Sequence, residues 1–287
     1  MRIPPRRDFF YLIFEGMNSR KKKILKRWLT GIFLVYLLLG LVLFFVQDQL
    51  LFHPQKVNFD HQYSFTEPFE EININLGGAN LNIVRFRTAN AKKGLVLFYH
   101  GNMNNVEHYA KYPSVFLRNG YEVWMLDYPG FGKTTGRRSE TIIYKQALKM
   151  YDLARETTAP DSIIVYGKSI GTGVAAYVAA NREAAQLLLE TPYYSIEALA
   201  KHYFPVYPVA VLSKYRFPIF QYLINVKAPI TLIHGTSDGI VPYQHSLKLK
   251  REFPKINLVT IKNGEHNNLS SFEDFNKAID SVLLNRE

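Results

Sequence analysis

The sequence contains no cysteine among its 287 residues. This absence excludes disulfide bonds, thiol nucleophiles, iron–sulfur clusters and cysteine-bound zinc. Any covalent catalysis must therefore use another side chain. Since oxidising lumens often recruit disulfides, the absence mildly favours a bacterial envelope over a eukaryotic secretory compartment. With 47% apolar residues, the chain is long enough to bury a full core, as one large domain or two small ones.

The net positive charge is small outside the N-terminus. Residues 1–27 hold nine Lys and Arg against two acidic residues, a net charge of +7, which leaves only +4 of the formal +11 for the other 260 residues. Those residues contain no basic stripe interleaved with aromatic side chains and no nucleic-acid-binding motif, so no nucleic-acid partner is expected. The basicity therefore belongs mainly to the N-terminus.

One long uncharged run extends from Leu29 to Val46 and reads LTGIFLVYLLLGLVLFFV. As a helix it would be about 27 Å long at ~1.5 Å per residue, close to the ~30 Å hydrocarbon core of a bilayer. The run is apolar on every side and follows Trp28 and a basic cluster, which favours a membrane span over a buried core helix. A signal peptide is disfavoured because no small-residue cleavage site follows Val46. The sequence predicts an uncleaved transmembrane anchor at residues 29–46.

The charges beside this run predict its orientation. Six Lys and Arg at positions 20–27 precede the run, whereas Lys56 alone lies close behind it. By the positive-inside bias, residues 1–28 form a basic cytoplasmic N-terminus and residues 47–287 form an extracytoplasmic domain, periplasmic in a bacterium.

A second methionine lies shortly before the basic cluster. The segment Met17-Asn18-Ser19-Arg20-Lys21 is typical of a bacterial N-terminus that precedes a span, whereas residues 1–16 add an apolar patch, FFYLIF. Two translation starts, Met1 and Met17, stay open.

Beyond residue 68, short β-branched runs alternate with longer amphipathic stretches, which is typical of an α/β fold. The Gly77-Gly78 turn predicts an antiparallel first pair of strands, and helices between the later strands predict a mostly parallel sheet with helices on both faces. The eight predicted strands are 69–76, 81–87, 94–99, 121–126, 162–166, 186–189, 229–233 and 256–261. Reactive loops are expected at the carboxyl ends of the parallel strands.

A serine follows one of these strands in a recognisable pattern. The strand SIIVY runs into Gly167-Lys168-Ser169-Ile170-Gly171, a G-x-S-x-G sequence, and then into a helix of small residues. A serine on a sharp strand-to-helix turn needs small residues two positions away on each side, which Gly167 and Gly171 provide. The amides at the helix N-terminus point towards developing negative charge. Ser169 is the predicted nucleophile.

A serine hydroxyl needs a base, so a histidine oriented by a carboxylate should follow in the order Ser, Asp, His. Two later strand ends offer them, since HGTSDGIVP contains Asp238 and NGEHNNL contains His266. His245 lies on a helix-like stretch and is expected at the surface. Glu265 is disfavoured as the carboxylate because adjacent side chains in a loop rarely meet. The predicted catalytic residues are therefore Ser169, Asp238 and His266.

Two backbone amides are predicted to form an oxyanion hole. The strand LVLFYH ends in His100-Gly101-Asn102-Met103, and the loop after this strand can supply one N–H, which we assign to Asn102. Ile170, the residue after the nucleophile, supplies the other. His100 is expected to bond the loop and not to react. Asp127 begins the turn sequence DYPGFG and is expected to be structural.

Together, the motifs HGN, DYPGFG, GKSIGTG, HGTSDGIVP and NGEHNNL resemble the α/β-hydrolase superfamily in order and spacing, from about Phe52 to the C-terminus. With ETPYYS, the chain resembles the membrane-anchored, short-lid serine hydrolases of that superfamily. The resemblance implies a serine hydrolase that cleaves an ester or thioester, which includes lipid and acyl substrates, through an acyl-enzyme.

The resemblance is specific for the fold and the triad but not for the substrate. Two alternatives stay open, a membrane-anchored binding protein that has lost turnover and a serine peptidase or amidase on the same fold. No metal motif and no phosphate-binding loop occur, so neither a metal nor a nucleotide cofactor is expected. The oligomeric state is not readable from the sequence.

The segment at about 193–227, between the sixth and seventh strands, is too long for a simple crossover and predicts a small lid. It is rich in rings, namely Tyr193, Tyr194, Tyr203, Phe204, Tyr207, Tyr215, Phe217, Phe220 and Tyr222. Either these rings fasten the lid to the sheet, or some of them line an acyl pocket.

Overall fold

The computed structural model describes residues 18–284. Met17 and the apolar patch before it lie outside the described residues. The chain divides into two units, Met1–Asp48 and Gln49–Glu287.

The uncharged run lies on one long helix, α1 (Ser19–Leu51). Its apolar side chains are largely exposed, for example 58% for Phe33, 59% for Leu38 and 62% for Phe45. The helix is long and apolar enough to cross a membrane by length and composition. The anchor at residues 29–46 stays a prediction that these properties fit.

The second unit contains ten strands in the part of the chain that the structure describes. In chain order they are β1 (His53–Pro54), β2 (Phe69–Leu76), β3 (Ala79–Phe86), β4 (Gly94–Tyr99), β5 (Met103–Asn104), β6 (Tyr121–Leu126), β7 (Ile163–Lys168), β8 (Gln186–Glu190), β9 (Ile230–Gly235) and β10 (Asn257–Ile261). Eight of them form one sheet in the order β10-β9-β8-β7-β4-β6-β3-β2, and β1 pairs with β5 separately.

The sheet is parallel from β10 to β6 and antiparallel at its other end. Strands β2 and β3 pair antiparallel, as do β3 and β6, and the remaining pairs are parallel. Gly77 and Gly78 join β2 to β3 with φ of +66° and +92°, a conformation that glycine adopts without steric cost. The predicted mostly parallel eight-stranded sheet is confirmed, with strand ends shifted by up to two residues.

Helices cover both faces of this sheet. In chain order those that follow α1 are α2 (Val106–Tyr109), α3 (Pro113–Leu117), α4 (Glu140–Arg155), α5 (Gly171–Asn181), α6 (Ile196–Tyr203), α7 (Val209–Leu212), α8 (Ile219–Tyr222), α9 (Gln244–Glu252) and α10 (Glu273–Leu284). Short 3-10 turns occur at Pro160–Ser162, Leu223–Asn225 and Leu269–Ser271.

Alternate residues of the central strand β4 pack into two hydrophobic clusters, one on each face of the sheet. Leu95, Leu97 and Tyr99 of β4 pack with α4 and α5, whereas Val96 and Phe98 pack with α3 and α10 on the opposite face. A parallel strand covered on both faces is apolar at successive positions, which explains why LVLFY shows no polar alternation. The two layers of helices leave the carboxyl ends of the strands open for loops.

The helices between β8 and β9, α6 to α8, lie in the segment predicted as a lid. Its rings divide by burial. Tyr193, Tyr215 and Phe217 are at most 3% exposed and belong to the core, whereas Tyr203 and Phe204 are 48% and 36% exposed. The buried rings fasten this segment to the sheet because they pack with α4 and α5 in one cluster.

Candidate active site

Ser169 lies on the turn from β7 into α5 with φ of +52°. This left-handed conformation costs a non-glycine residue energy and is held by the surrounding structure. The amide of Ser169 donates to the carbonyl of Glu190 at 2.9 Å. A Cβ on Gly167 would lie 2.4 Å from the Gly171 carbonyl oxygen and 2.7 Å from the Ala175 Cβ, so this position admits only glycine. The G-x-S-x-G sequence thus allows the strand and the helix to pack closely on either side of the turn that carries Ser169.

The structure brings the three predicted catalytic side chains into one chain of hydrogen bonds. His266 Nε2 lies 2.9 Å from Ser169 Oγ, and His266 Nδ1 lies 2.8 Å from Asp238 Oδ2. All three residues are 7–8% exposed. Glu265 is exposed, and its amide donates to the side-chain oxygen of Asn268. The carboxylate at His266 is therefore that of Asp238 and not of its neighbour.

Four donors surround the carboxylate of Asp238. Its Oδ1 accepts the amides of Ile240 and Val241 at 2.9 and 2.8 Å, while Oδ2 faces His266 and His234. Burial alone would raise the pKa of Asp238, but the hydrogen bonds from His234 and His266 outweigh it and hold this pKa below its ordinary value. Asp238 therefore carries its negative charge at neutral pH.

His234 is a second histidine on Asp238 that the sequence analysis did not single out. It is fully buried, and its Nε2 lies 3.1 Å from Asp238 Oδ2. The Ser246 hydroxyl lies 2.6 Å from Nδ1, which fits a tautomer in which Ser246 donates and Nε2–H points at Asp238. The four-residue spacing from His234 to Asp238 in HGTSD was the only signal in the sequence for this contact.

Both predicted oxyanion donors lie beside the nucleophile. Ile170 is the N-cap of α5, and amides at a helix start have no intrahelical acceptor. The loop after β4 reaches the same place, since a Cβ on Gly101 would lie 3.7 Å from the Cβ of Ser169. The backbone of Asn102 follows directly. Its role as a donor stays a prediction.

His100 fixes the direction of the peptide that contains the Asn102 amide. Its Nδ1 donates to the Gly101 carbonyl at 2.7 Å, and in a trans peptide the N–H of the next residue points away from that carbonyl. His100 Nε2 lies 3.2 Å from Oδ1 of Asp127, which also accepts the Val106 amide. His100 and Asp127 are at most 1% exposed, so both hold the loop after β4 from its buried side.

The chain is similar to several known proteins. The chain matches the family described as serine aminopeptidase, S33, over residues 90–217. It is 26% identical over 202 residues to α/β-hydrolase domain-containing protein 17C of Xenopus tropicalis, a match that covers 69% of this chain but only 64% of the relative's length. The lysophosphatidylserine lipase ABHD12 of Danio rerio is 26% identical over 280 residues, with 82% of this chain and 73% of that protein covered.

Among solved structures, the Pyrococcus furiosus esterase Pf2001 superposes with a TM-score of 0.62 at 19% identity and covers 81% of this chain and 96% of that chain. The fold, the family match and the curated relatives agree. The chain has the α/β-hydrolase fold. Within this α/β-hydrolase, two further contacts of the site were not predicted from the sequence.

The first is a buried ion pair beside the nucleophile. Lys168 donates its Nζ to the carboxylate of Glu190 and to the backbone carbonyl of His266, the latter at 3.1 Å. The Tyr166 hydroxyl donates to the other oxygen of Glu190. Lys168 and Glu190 are 3% and 0% exposed. The pair therefore joins the strand before Ser169 to the loop that carries His266.

The second corrects the prediction for His245, which is half-buried and not a surface residue. Its Nδ1 accepts the amide of Tyr194 at 3.2 Å. Burial lowers the pKa of His245 to about 4, which keeps Nδ1 unprotonated and able to accept. Helix α9 thereby holds the start of the segment that contains α6.

We expect Lys168→Met and Glu190→Gln each to destabilise the protein by about 3 kcal/mol or more, because each substitution leaves one buried group without its partner. The double variant should lose less than the sum of the two losses. The measurement is the free energy of unfolding in urea. Arg182→Met is the control: it breaks the half-exposed pair with Asp152 and should cost less than about 1 kcal/mol. Strictly additive losses at Lys168 and Glu190 would contradict the coupling.

Proposed function

We propose that this α/β-hydrolase is a membrane-anchored serine hydrolase that cleaves an ester or thioester through an acyl-enzyme on Ser169. The observation that carries the proposal is the chain of hydrogen bonds from Ser169 through His266 to Asp238, at a turn with positive φ. The names of similar proteins add support for ester or lipid substrates. They include the lysophosphatidylserine lipase of Danio rerio, the Pyrococcus furiosus esterase and a monoglyceride lipase of Saccharomyces cerevisiae.

In the first half of the proposed reaction, His266 Nε2 takes the proton of Ser169 Oγ as that oxygen attacks the substrate carbonyl carbon. Asp238 holds the imidazole in place and stabilises the imidazolium that forms. The amides of Asn102 and Ile170 donate to the oxyanion of the tetrahedral intermediate. His266 then gives its proton to the leaving alcohol or thiol, and the acyl group stays on Ser169.

In the second half, water replaces the leaving group. His266 takes a proton from the water as its oxygen attacks the acyl carbon, and the same two amides stabilise the second oxyanion. Collapse of this intermediate returns the proton to Ser169 and releases the acid. Each step uses only side chains and amides of this chain and one water molecule.

Peptide or amide hydrolysis is a second candidate function. The matched family is described as a serine aminopeptidase, and the same triad would cleave an amide with an amine as the leaving group. A p-nitrophenyl ester and a p-nitroanilide with the same acyl group separate the two functions. A higher kcat/KM for the anilide would favour the peptidase.

A fluorophosphonate should label the full chain, purified in detergent, at Ser169, because such a probe reacts only with an activated serine. Ser169→Ala should abolish labelling and lower ester turnover by roughly 10⁴-fold or more. Ser114→Ala, at an exposed serine on α3, is the control and should leave both unchanged. Absent labelling, or labelling of another residue, would favour a binding protein without turnover.

The rings between β8 and β9 suggest where an acyl chain would lie. The buried rings are taken up by packing, since a Cβ on Gly173 of α5 would lie 2.3 Å from the Tyr193 hydroxyl and 2.8 Å from Phe217 Cβ. Of the two exposed rings, Tyr203 lies near the Asp238 loop, because its hydroxyl donates to the Ile240 carbonyl at 2.7 Å, and Phe204 is the next residue in the chain. Tyr203 and Phe204 are therefore the rings that we propose contact an acyl chain.

We expect kcat/KM to rise along p-nitrophenyl esters from acetate to decanoate, measured below their micelle concentrations. Each buried methylene contributes about 0.8 kcal/mol, or about fourfold, as far as the pocket extends. Phe204→Ala should flatten the rise and leave the acetate rate unchanged, so acetate serves as the internal control. A flat series in the unsubstituted protein, or a maximum at acetate, would leave the rings with a structural role alone.

We also propose that residues 29–46 anchor the chain, with residues 1–28 cytoplasmic and the hydrolase domain at 47–287 extracytoplasmic. The exposed apolar surface of α1 and the basic residues in its first turns support this orientation. Protease should then digest the domain in spheroplasts and spare it in sealed inverted vesicles. Digestion in the inverted vesicles alone would indicate the opposite orientation.

A further inference from the structure

The end of α1 and the chain that follows it are hydrogen-bonded to the loop that carries the predicted oxyanion donor. This linking segment, residues 51–57, includes β1, which pairs in parallel with β5. The amide of His53 donates to the carbonyl of Asn102 at 2.8 Å. In the opposite direction, Asn102 Nδ2 donates to the carbonyl of Leu51 at 2.9 Å. Asn102 is thus bonded to the linking segment through its backbone and its side chain.

The other edge of the linking segment is bonded to the loop after β6. The Gly132 amide donates to the Gln55 carbonyl at 2.9 Å, and the Val57 amide donates to the Gly132 carbonyl at 3.1 Å. The linking segment therefore lies between the two loops that follow β4 and β6. Hydrogen bonds on both edges fix its position.

Phe52 fixes the same segment in the core. It is 2% exposed, and its ring makes edge contacts with Phe131 and Tyr215 at centroid distances of 6.3 and 5.1 Å. The guanidinium of Arg138 lies 4.6 Å from its centroid. A residue only one position beyond α1 is thereby as well packed as the centre of the sheet.

We infer that Asn102 is a positioning residue, whose side-chain bond to Leu51 makes the geometry of the oxyanion hole depend on the linking segment, residues 51–57. The inference rests on the proposed function. His100 fixes the Gly101 carbonyl on one side of the Asn102 amide, and the linking segment fixes the Asn102 side chain and carbonyl on the other. Removal of the side-chain bond weakens the second of these supports and leaves only the bond from the His53 amide to the Asn102 carbonyl.

Oxyanion donors stabilise charge that develops only in the transition state, and they act best when they need not reorganise. A donor displaced by a fraction of an ångström should therefore lower kcat and leave substrate binding nearly unchanged. A purely structural bond would lower the stability of the folded state and leave kcat per folded molecule unchanged. Separate measurements of kcat and KM therefore distinguish a positioning role from a purely structural one.

The test uses the full chain in detergent, with kcat normalised by fluorophosphonate titration of reactive sites so that misfolded protein is not counted. Asn102→Ala keeps the backbone amide and removes the bond to Leu51. It should lower kcat about tenfold or more and change KM less than about threefold. Asn102→Asp has the same shape but no donor and should show the same loss.

Asn119→Ala is the matched control. Asn119 is also half-buried, and its Nδ2 donates to a backbone carbonyl, that of Val115, at 2.8 Å. It donates to Asp280 Oδ1 at 3.1 Å as well, but it belongs to the turn after α3. This variant should change kcat less than about twofold. Phe52→Leu weakens the anchorage of the linking segment without touching the loop and should lower kcat in the same direction as Asn102→Ala.

Two negative results have different meanings. If the unsubstituted protein labels at Ser169 and Asn102→Ala retains its kcat, the inference is wrong and the proposed function stands. If the unsubstituted protein neither labels nor turns over an ester, the proposed function fails and the inference fails with it.

Discussion

The left-handed turn at Ser169 is the constraint on which the geometry of the site depends. Strand β7 lies inside the sheet between β4 and β8, so the turn at its end must fit between two neighbouring loops. A Cβ on Gly171 would lie 2.0 Å from the Tyr99 carbonyl oxygen, which shows how closely α5 begins against the end of β4. The carbonyl of Glu190 at the end of β8 accepts the Ser169 amide. The unfavourable φ persists because both neighbours hold the turn.

His266 comes from the far edge of the sheet and must return across it. Its loop follows β10, which is separated from β7 by β9 and β8. A Cβ on Gly235 would lie 2.1 Å from the Gly264 carbonyl oxygen, so the loops after β9 and β10 are in backbone contact. Lys168 then bonds the His266 carbonyl. The close contact between Gly235 and Gly264 and the bond from Lys168 to the His266 carbonyl together hold the imidazole beside Ser169.

The strand ends were the most predictable part of the molecule, because the residue pattern of a strand and the glycines of the turn that follows it are local features of the sequence. Once a parallel sheet was predicted, the carboxyl ends of its strands suggested Ser169, Asp238 and His266, and these are the side chains that the structure brings into contact. The ion pair of Lys168 and Glu190 depends on the register of β7 against β8, which no local pattern in the sequence determines. The pairing of β1 with β5 joins residues about fifty positions apart through two-residue strands, which are too short to show any periodicity.

The two predicted oxyanion amides differ in how they are held. Ile170 is at the start of α5, so the direction of its N–H follows from regular helix geometry. Asn102 lies in a loop and is held by separate contacts from other parts of the chain, which include Leu51. Phe52, adjacent to Leu51, packs against Tyr215 in the segment between β8 and β9. A single buried contact therefore connects the segment proposed to receive the acyl chain with the segment that positions the oxyanion loop. Because packed interiors transmit small displacements, this contact would couple the proposed acyl site to the predicted oxyanion loop.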